Sequence, residues 1–196
     1  MTRKSTEIRQ EEIKEAVLKI IRTDGIKAVS TKNIANQTGL SEGAIFRHFK
    51  TKRDIILGII SDVSEILIKK LRVIAYSEDS PKDRFYNFLC GTITYLTENN
   101  GITILLFTEA SHTNDKEMKE KLNWIFNSQR ELVGKIISDG ISEGIWSDKI
   151  PIEDVTRLYM GVPITHNISL VLSNGKNVDA DVCRQMITMF DKILEK

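Results

Sequence analysis

The sequence predicts an all-α protein of about nine helices, with a three-helix helix-turn-helix domain at residues 1–53 and a larger helical body at residues 54–196. Three observations lead there. Apolar residues recur at helical spacing through most of the chain, as in Ile13, Ala16, Val17, Ile20 and Ile21, with no strand-like alternation. Start and stop residues bracket these stretches, among them Ser80-Pro81 with Asp83, and the glycines Gly25, Gly39 and Gly140. Charge is also unevenly shared. Residues 1–53 hold 12 Lys/Arg and 6 Asp/Glu, a net of +6, whereas the remainder holds 16 against 21, a net of −5. A basic head on an acidic body directs only the head at a polyanion.

Composition sets further bounds. With 41% hydrophobic and 28% charged residues over 196 positions, the chain can bury a real core and reads as an ordinary globular protein. No apolar run reaches membrane-spanning length, Ile104 to Phe107 being far too short, and the charged N-terminus lacks a signal-peptide core. Cys90 and Cys183 have neither a CxxC partner nor a His-rich neighbourhood, so no metal site or disulfide is expected. They read as two reduced thiols in a cytoplasmic protein. No phosphate-binding glycine loop follows a strand, and the three histidines and two cysteines have no catalytic spacing; no enzyme activity or cofactor is expected.

Taken in order, residues 1–7 read as a polar arm whose Arg3 and Lys4 meet either water or phosphate. A helix from about Ile8 to Asp24 carries the first apolar stripe and stops at Gly25, and Ala28 and Val29 pack beneath it. Thr31 to Thr38 forms a short helix around Ile34 and Ala35, and Gly39 supplies a left-handed C-cap. Leu40 plugs the corner and Ser41 caps a second short helix, Ser41 to His48, which turns Ile45 and Phe49 inward. A long helix from Thr51 to Tyr76, with a stripe running from Ile55 to Leu67, is expected to serve both domains and carry movement of the body to the head.

The body continues with a helix from Ser80 to about Asn99, ended by Asn99-Asn100-Gly101, and an apolar helix from Ile102 to about Ser111. Asn114 with Glu117 starts a long helix that Gly140 closes. The turn-rich ISEGIWSDKIP connects it to a helix from Ile152 to Ser173, where Pro163 should introduce a kink. Asn174 and Gly175 end that helix, and a last one spans Val178 to Leu194.

Two short helices joined by a glycine turn, the second with a polar outer face, suit the major groove of DNA. Arg47 has a planar fork able to bond guanine O6 and N7 together, or is a plain surface arginine. Glu42 either accepts from a cytosine amino group or serves the helix dipole. Gly43 permits close approach to a base methyl or sugar, or is a backbone adaptation. Ser41 stands at the start of this helix, and Thr31, Lys32, His48 and Lys52 are placed to hold phosphates.

The run TGLSEGAIFRHFKTKRDII, preceded by STKNIA, resembles the DNA-binding domain of the tetracycline-repressor (TetR) family over roughly Glu11 to Ile60. Thr31, Ile34, Ala35, Gly39, Ser41, Gly43, Ile45, Arg47, His48, Phe49 and Lys52 carry the match. The resemblance implies that Thr31, His48 and Lys52 meet the DNA backbone. Phe46 and Ala44 depart from it, standing where tyrosine and threonine are common, so the operator sequence cannot be carried over.

The same resemblance implies a homodimer built from the last two long helices, on a near-palindromic double-stranded operator. Ile164, Ile168, Leu172, Met186, Met189 and Phe190 are the candidate interface, or else fill the protomer's own core. It also implies a pocket in the body for a small-molecule effector. Phe88, Tyr95, Phe107, Trp124, Phe126 and Tyr159 are candidate lining residues, with His112 or His166 as polar anchors, though aromatics at such spacing are often simply core. With no cluster of charges to bind a charged ligand, an apolar or amphipathic effector is preferred. The expected function is a ligand-responsive repressor. The alternative is a helix-turn-helix protein whose body docks to a protein partner.

Overall fold

The computed structural model describes residues 5–99, 102–173 and 181–195. The expected roles of Arg3, Lys4, Asn100, Gly101, Asn174, Gly175 and Val178 lie outside the described residues. Nine helices are present in the described residues, and no strand. They are α1 (Thr6–Asp24), α2 (Thr31–Thr38), α3 (Glu42–Phe46), α4, α5 (Pro81–Glu98), α6 (Ile102–His112), α7 (Lys116–Ser142), α8 (Ile152–Leu172) and α9 (Val182–Leu194). Helix α4 is continuous from Lys52–Val63, through a π-helical turn at Ser64–Ile68, into Lys69–Ala75.

The chain forms two compact units. The first comprises residues up to Asp62 together with Leu105–Lys119; the second comprises Val63–Ile104 and Glu120 onward. The first unit thus holds more chain than the 1–53 segment expected to bind DNA, and the chain passes between units within α4, α6 and α7.

The stripe Ile13, Ala16, Val17, Ile20 and Ile21 of α1 is buried as its spacing requires, with Ile34, Ile45, Ile55, Ile56, Ile59 and Ile60. Helix α1 starts at Ser5, whose hydroxyl accepts from the Ile8 N–H, and ends at Gly25, whose N–H donates to the Ile21 carbonyl at 3.1 Å. Lys14 is nearly buried but satisfied by Asp62 at 2.5 Å and Glu11 at 2.6 Å. Burial pulls its pKa down, yet the two carboxylates outweigh that and hold it above the usual lysine value.

The second unit is organised on aromatic rings. Phe85 lies 4.4 Å from Tyr159 and 5.2 Å from Trp146 between ring centroids, and Tyr159 lies 5.4 Å from Phe190. The buried Tyr159 hydroxyl donates to the Phe85 carbonyl at 2.6 Å. Arg84, also buried, donates to the Ala75 carbonyl at 2.9 Å and to Asp139 at 2.7 Å.

Several expectations are corrected here. Gly140 does not close its helix, which runs on to Ser142; instead Trp146 lies so close that a Cβ at Gly140 would overlap its ring. Asn114 is not the residue that starts α7. Its φ is 53°, a left-handed conformation that asparagine tolerates, and Asp115 accepts from the Met118 N–H at 3.0 Å as the cap. Helix α8 is unbroken at Pro163, which is buried. The two cysteines are not free thiols: Cys90 of α5 and Cys183 of α9 are joined as a disulfide, with Cα atoms 5.4 Å apart.

Candidate nucleic-acid interface

Local side-chain chemistry fixes the turn between α2 and α3. Ser30 caps α2 by accepting from the Asn33 N–H at 3.2 Å, and the Asn33 amide donates to the Ala28 carbonyl at 2.8 Å. Gly39 takes φ 68°, the left-handed region in which a Cβ would be strained. Thr38 bridges the corner: its hydroxyl donates to the Ile34 carbonyl at 2.8 Å and accepts from the Leu40 N–H at 3.4 Å. Ser41 then caps α3, accepting from the Ala44 N–H at 3.2 Å. Ile45 anchors α3 in the core, so the opposite face has to point outward.

That face carries the candidate DNA contacts. Ser41, Glu42, Gly43 and Arg47 are exposed, as are Lys32 on α2 and Lys52 on α4, while Thr31 and His48 are half-buried. The regular helix is shorter than expected, ending at Phe46, and Arg47 and His48 sit in the turn beyond it. The His48 carbonyl accepts from the Gln10 amide at 3.1 Å, which ties this turn to α1. Phe49 is half-buried rather than buried, and Phe46 is exposed beside Arg47. A Cβ at Gly43 would meet nothing within 4 Å and its φ is not positive, so the protomer itself does not require glycine there.

Helix α4 begins with a reciprocal cap, the Thr51 N–H donating to Asp54 at 3.0 Å and the Asp54 N–H to the Thr51 hydroxyl at 3.1 Å. Lys52 lies 3.6 Å from Glu109, and its ammonium donates to the Ile26 carbonyl at 3.5 Å. Arg53 makes a bidentate contact with Asp115, at 2.5 and 3.1 Å, and a third bond to Glu117 at 2.8 Å. Bonding to Asp115 and Glu117 raises the Arg53 pKa still further. Asp115 is held below the usual carboxylate range by Arg53 and by the Met118 N–H. Arg53 and these acids were missed in the sequence, because partners 62 and 64 residues apart leave no local signal.

The other predicted residues fall into distinct groups. Phe88, Tyr95, Tyr159 and His166 are buried in the second unit and Phe126 is half-buried. Trp124 is exposed, as are Phe107 and His112, which belong to the first unit; these three do not line an enclosed interior. The reason is periodicity: α6 turns Ile102, Leu106 and Ala110 inward, and α7 turns Leu122 and Ile125 inward, leaving Phe107 and Trp124 outside. Of the interface candidates, Ile164, Ile168, Leu172 and Met189 are exposed and Met186 is half-buried. Phe190 is instead core, packed on Phe85 and Tyr159.

A capped pair of short helices with a left-handed glycine between them and a polar outer face defines a helix-turn-helix DNA-binding domain. Residues 13–59 match the family described as "Bacterial regulatory proteins, tetR family". This segment, about a quarter of the chain, is thus similar to the DNA-binding domain of tetR-family regulators. The chain is 29% identical over 126 residues to the nucleoid occlusion factor SlmA of Vibrio atlanticus, covering 64% of this chain and 63% of that one, a little under two-thirds of its length. It is 26% identical over 148 residues to the protein of the same name from Vibrio campbellii, covering 74% of each. The fold is similar to that of a TetR regulator from Haloarcula marismortui, with a TM-score of 0.79 at 20% identity over 97% of this chain and 100% of that one. It is also similar to FadR of Bacillus subtilis, solved in complex with stearoyl-CoA, with a TM-score of 0.75 at 17% identity over 91% of this chain and 96% of that one.

Proposed function

We propose that the chain is a cytoplasmic, homodimeric repressor that grips a near-palindromic operator and releases it when the body binds a small apolar or amphipathic molecule. The observation that carries the dimer is an apolar seam left open on α8. Leu158, Gly161, Thr165, Ile168 and Leu172 recur at alternating steps of three and four, the spacing of a helix-pairing surface. Leu158 is 60% exposed and Leu172 79%, and space is open above Gly161 where a second helix would approach. With Met189 and Ile193 exposed on α9, this is more apolar surface than a lone protomer gains by exposing. In the dimer two copies of Arg47 read bases, while Thr31, Lys32, Ser41, His48 and Lys52 hold phosphates.

Support for an effector comes from the polar groups inside the second unit. His166 and Asn167 are buried side by side on α8, His166 at 3.0 Å from the Thr97 hydroxyl and Asn167 donating to Thr103 at 2.5 Å. The buried Asn167 amide oxygen has no hydrogen-bond partner among the described residues, a group that a ligand's donor would satisfy. Burial lowers the His166 pKa, so the ring is a neutral anchor, suited to an uncharged polar end on an apolar molecule. FadR's complex with stearoyl-CoA shows a related fold holding an amphipathic acyl compound.

The likeness to nucleoid occlusion factors favours a second reading, in which the body docks to a protein partner and the head anchors it on DNA. One experiment separates the two. A panel of long-chain acyl compounds is added to the protein bound to DNA from upstream of its own gene. Release by one compound, lost in His166→Ala or Asn167→Ala, supports the repressor. No release by any compound, with a protein partner recovered reproducibly on DNA beads, supports the second reading.

A further inference from the structure

We propose that Cys90 and Cys183 form a reversible thiol–disulfide exchange site whose oxidation state decides whether the N-terminal half of α9 is held against α5. The bond spans 93 residues and joins two helices of the same unit. At its C-terminal end α9 is held by packing: Phe190 and Leu194 are buried, Phe190 meets Phe85 with centroids 5.6 Å apart, and the Leu194 carbonyl accepts from the Ser147 N–H at 2.8 Å. The other half is packed less deeply, with Val182, Met186 and Ile187 only half-buried. No residue of α9 before Phe190 is buried, and on α5 the positions that share a stripe with Cys90, namely Asp83, Asn87 and Thr94, are exposed. The disulfide is therefore the covalent tie of the less deeply packed half. It sits seven and eleven residues before Phe190 and Leu194, on the helix face already turned inward.

Two further points make the bond exchangeable rather than a fixed staple. Both cysteines are half-buried rather than enclosed in the core, the setting in which a small disulfide or thiol gains access to a bond. A protein that acts on DNA works in a reducing compartment, where a disulfide that forms is typically transient and redox-sensing. The co-reactant is a low-molecular-weight disulfide. One cysteine thiolate attacks it and releases one small thiolate; the second cysteine attacks the mixed disulfide and releases the other. The two cysteines lose two electrons, the small disulfide gains them, and the two cysteine protons pass to the released thiolates. Because Met189 and Ile193 lie on the same helix, oxidation also sets the surface that α9 offers a second copy, a consequence that rests on the dimer reading.

The test compares the full chain equilibrated with glutathione disulfide against the chain in excess glutathione, with Cys90→Ser and Cys183→Ala each as controls. Cysteine state is read by alkylation and mass, α9 by hydrogen exchange of residues 182–194, and association by sedimentation. The expected result is two alkylated cysteines on reduction without denaturant, exchange of residues 182–188 at least tenfold faster, and neither variant responding to redox state. A shifted dimer fraction extends the proposal to pairing. A monomer in both states, with redox-dependent exchange, supports the site and contradicts the dimer reading alone. Identical exchange in the two states, or a bond that glutathione reduces only in denaturant, overturns the proposal.

Discussion

Arg47 stands exposed just past the end of α3, outside the core. Arg47→Ala should leave the melting temperature unchanged and cost about 1–3 kcal/mol in operator binding, with relaxed preference at one base pair. Competition against single-base operator variants checks this, and an unaltered profile removes Arg47 from the base-reading set. Gly140 tests packing instead. Gly140→Ala drives a methyl into the Trp146 ring and should destabilise by about 1–3 kcal/mol. Gly134→Ala on the same helix is the control, because its Cβ would sit 3.7 Å from the Thr156 hydroxyl, an ordinary contact, so helix propensity should leave it neutral or slightly stabilised. Denaturant melts distinguish the two. His166 gives a pH signature. Its folded pKa is lowered by burial, so as pH falls through the ordinary value of 6.5 the unfolded chain takes up the proton first. Stability is then full above that pH and declines below it. Melts at pH 7.5 and 5.5 should show the decline, and His166→Gln should flatten it.

At the scale of elements, caps were readable because each is a contract among neighbours in sequence. Ser41 and Ser80 act as N-caps and Gly39 is left-handed, as their residue types demand. Asn114 misled because it and Asp115 are both capping types, and only the backbone conformation separates them. Cys90 with Cys183 and Arg53 with Asp115 could not be read, since each pair is brought together by the fold across 93 and 62 residues. The disulfide closes so long a loop that its loss should lower stability by about 2–4 kcal/mol, measured as the difference between Cys183→Ala and the oxidised chain in urea. The α8 seam is testable in the same way. Leu172→Glu places a charge on the most exposed position of that stripe, so folding should be spared while sedimentation shifts to monomer. A dimer that persists would move the interface elsewhere.

For the whole molecule, helix number and order were legible because apolar periodicity and breakers recur throughout, and the DNA-binding head was legible because its residues are contiguous. The body was less so. An aromatic at helical spacing gives no indication of which neighbour it meets, so buried Phe88 and exposed Trp124 look alike in sequence. The central claim is that two copies of the head read one operator. The most direct measurement is fluorescence anisotropy of the full chain on DNA from upstream of its own gene, against a scrambled duplex, at two salt concentrations. A specific regulator of its own gene should prefer the upstream DNA at both salts, with two chains bound per site. Equal binding to both duplexes, collapsing together as salt rises, would contradict the account, because phosphate contacts alone behave that way.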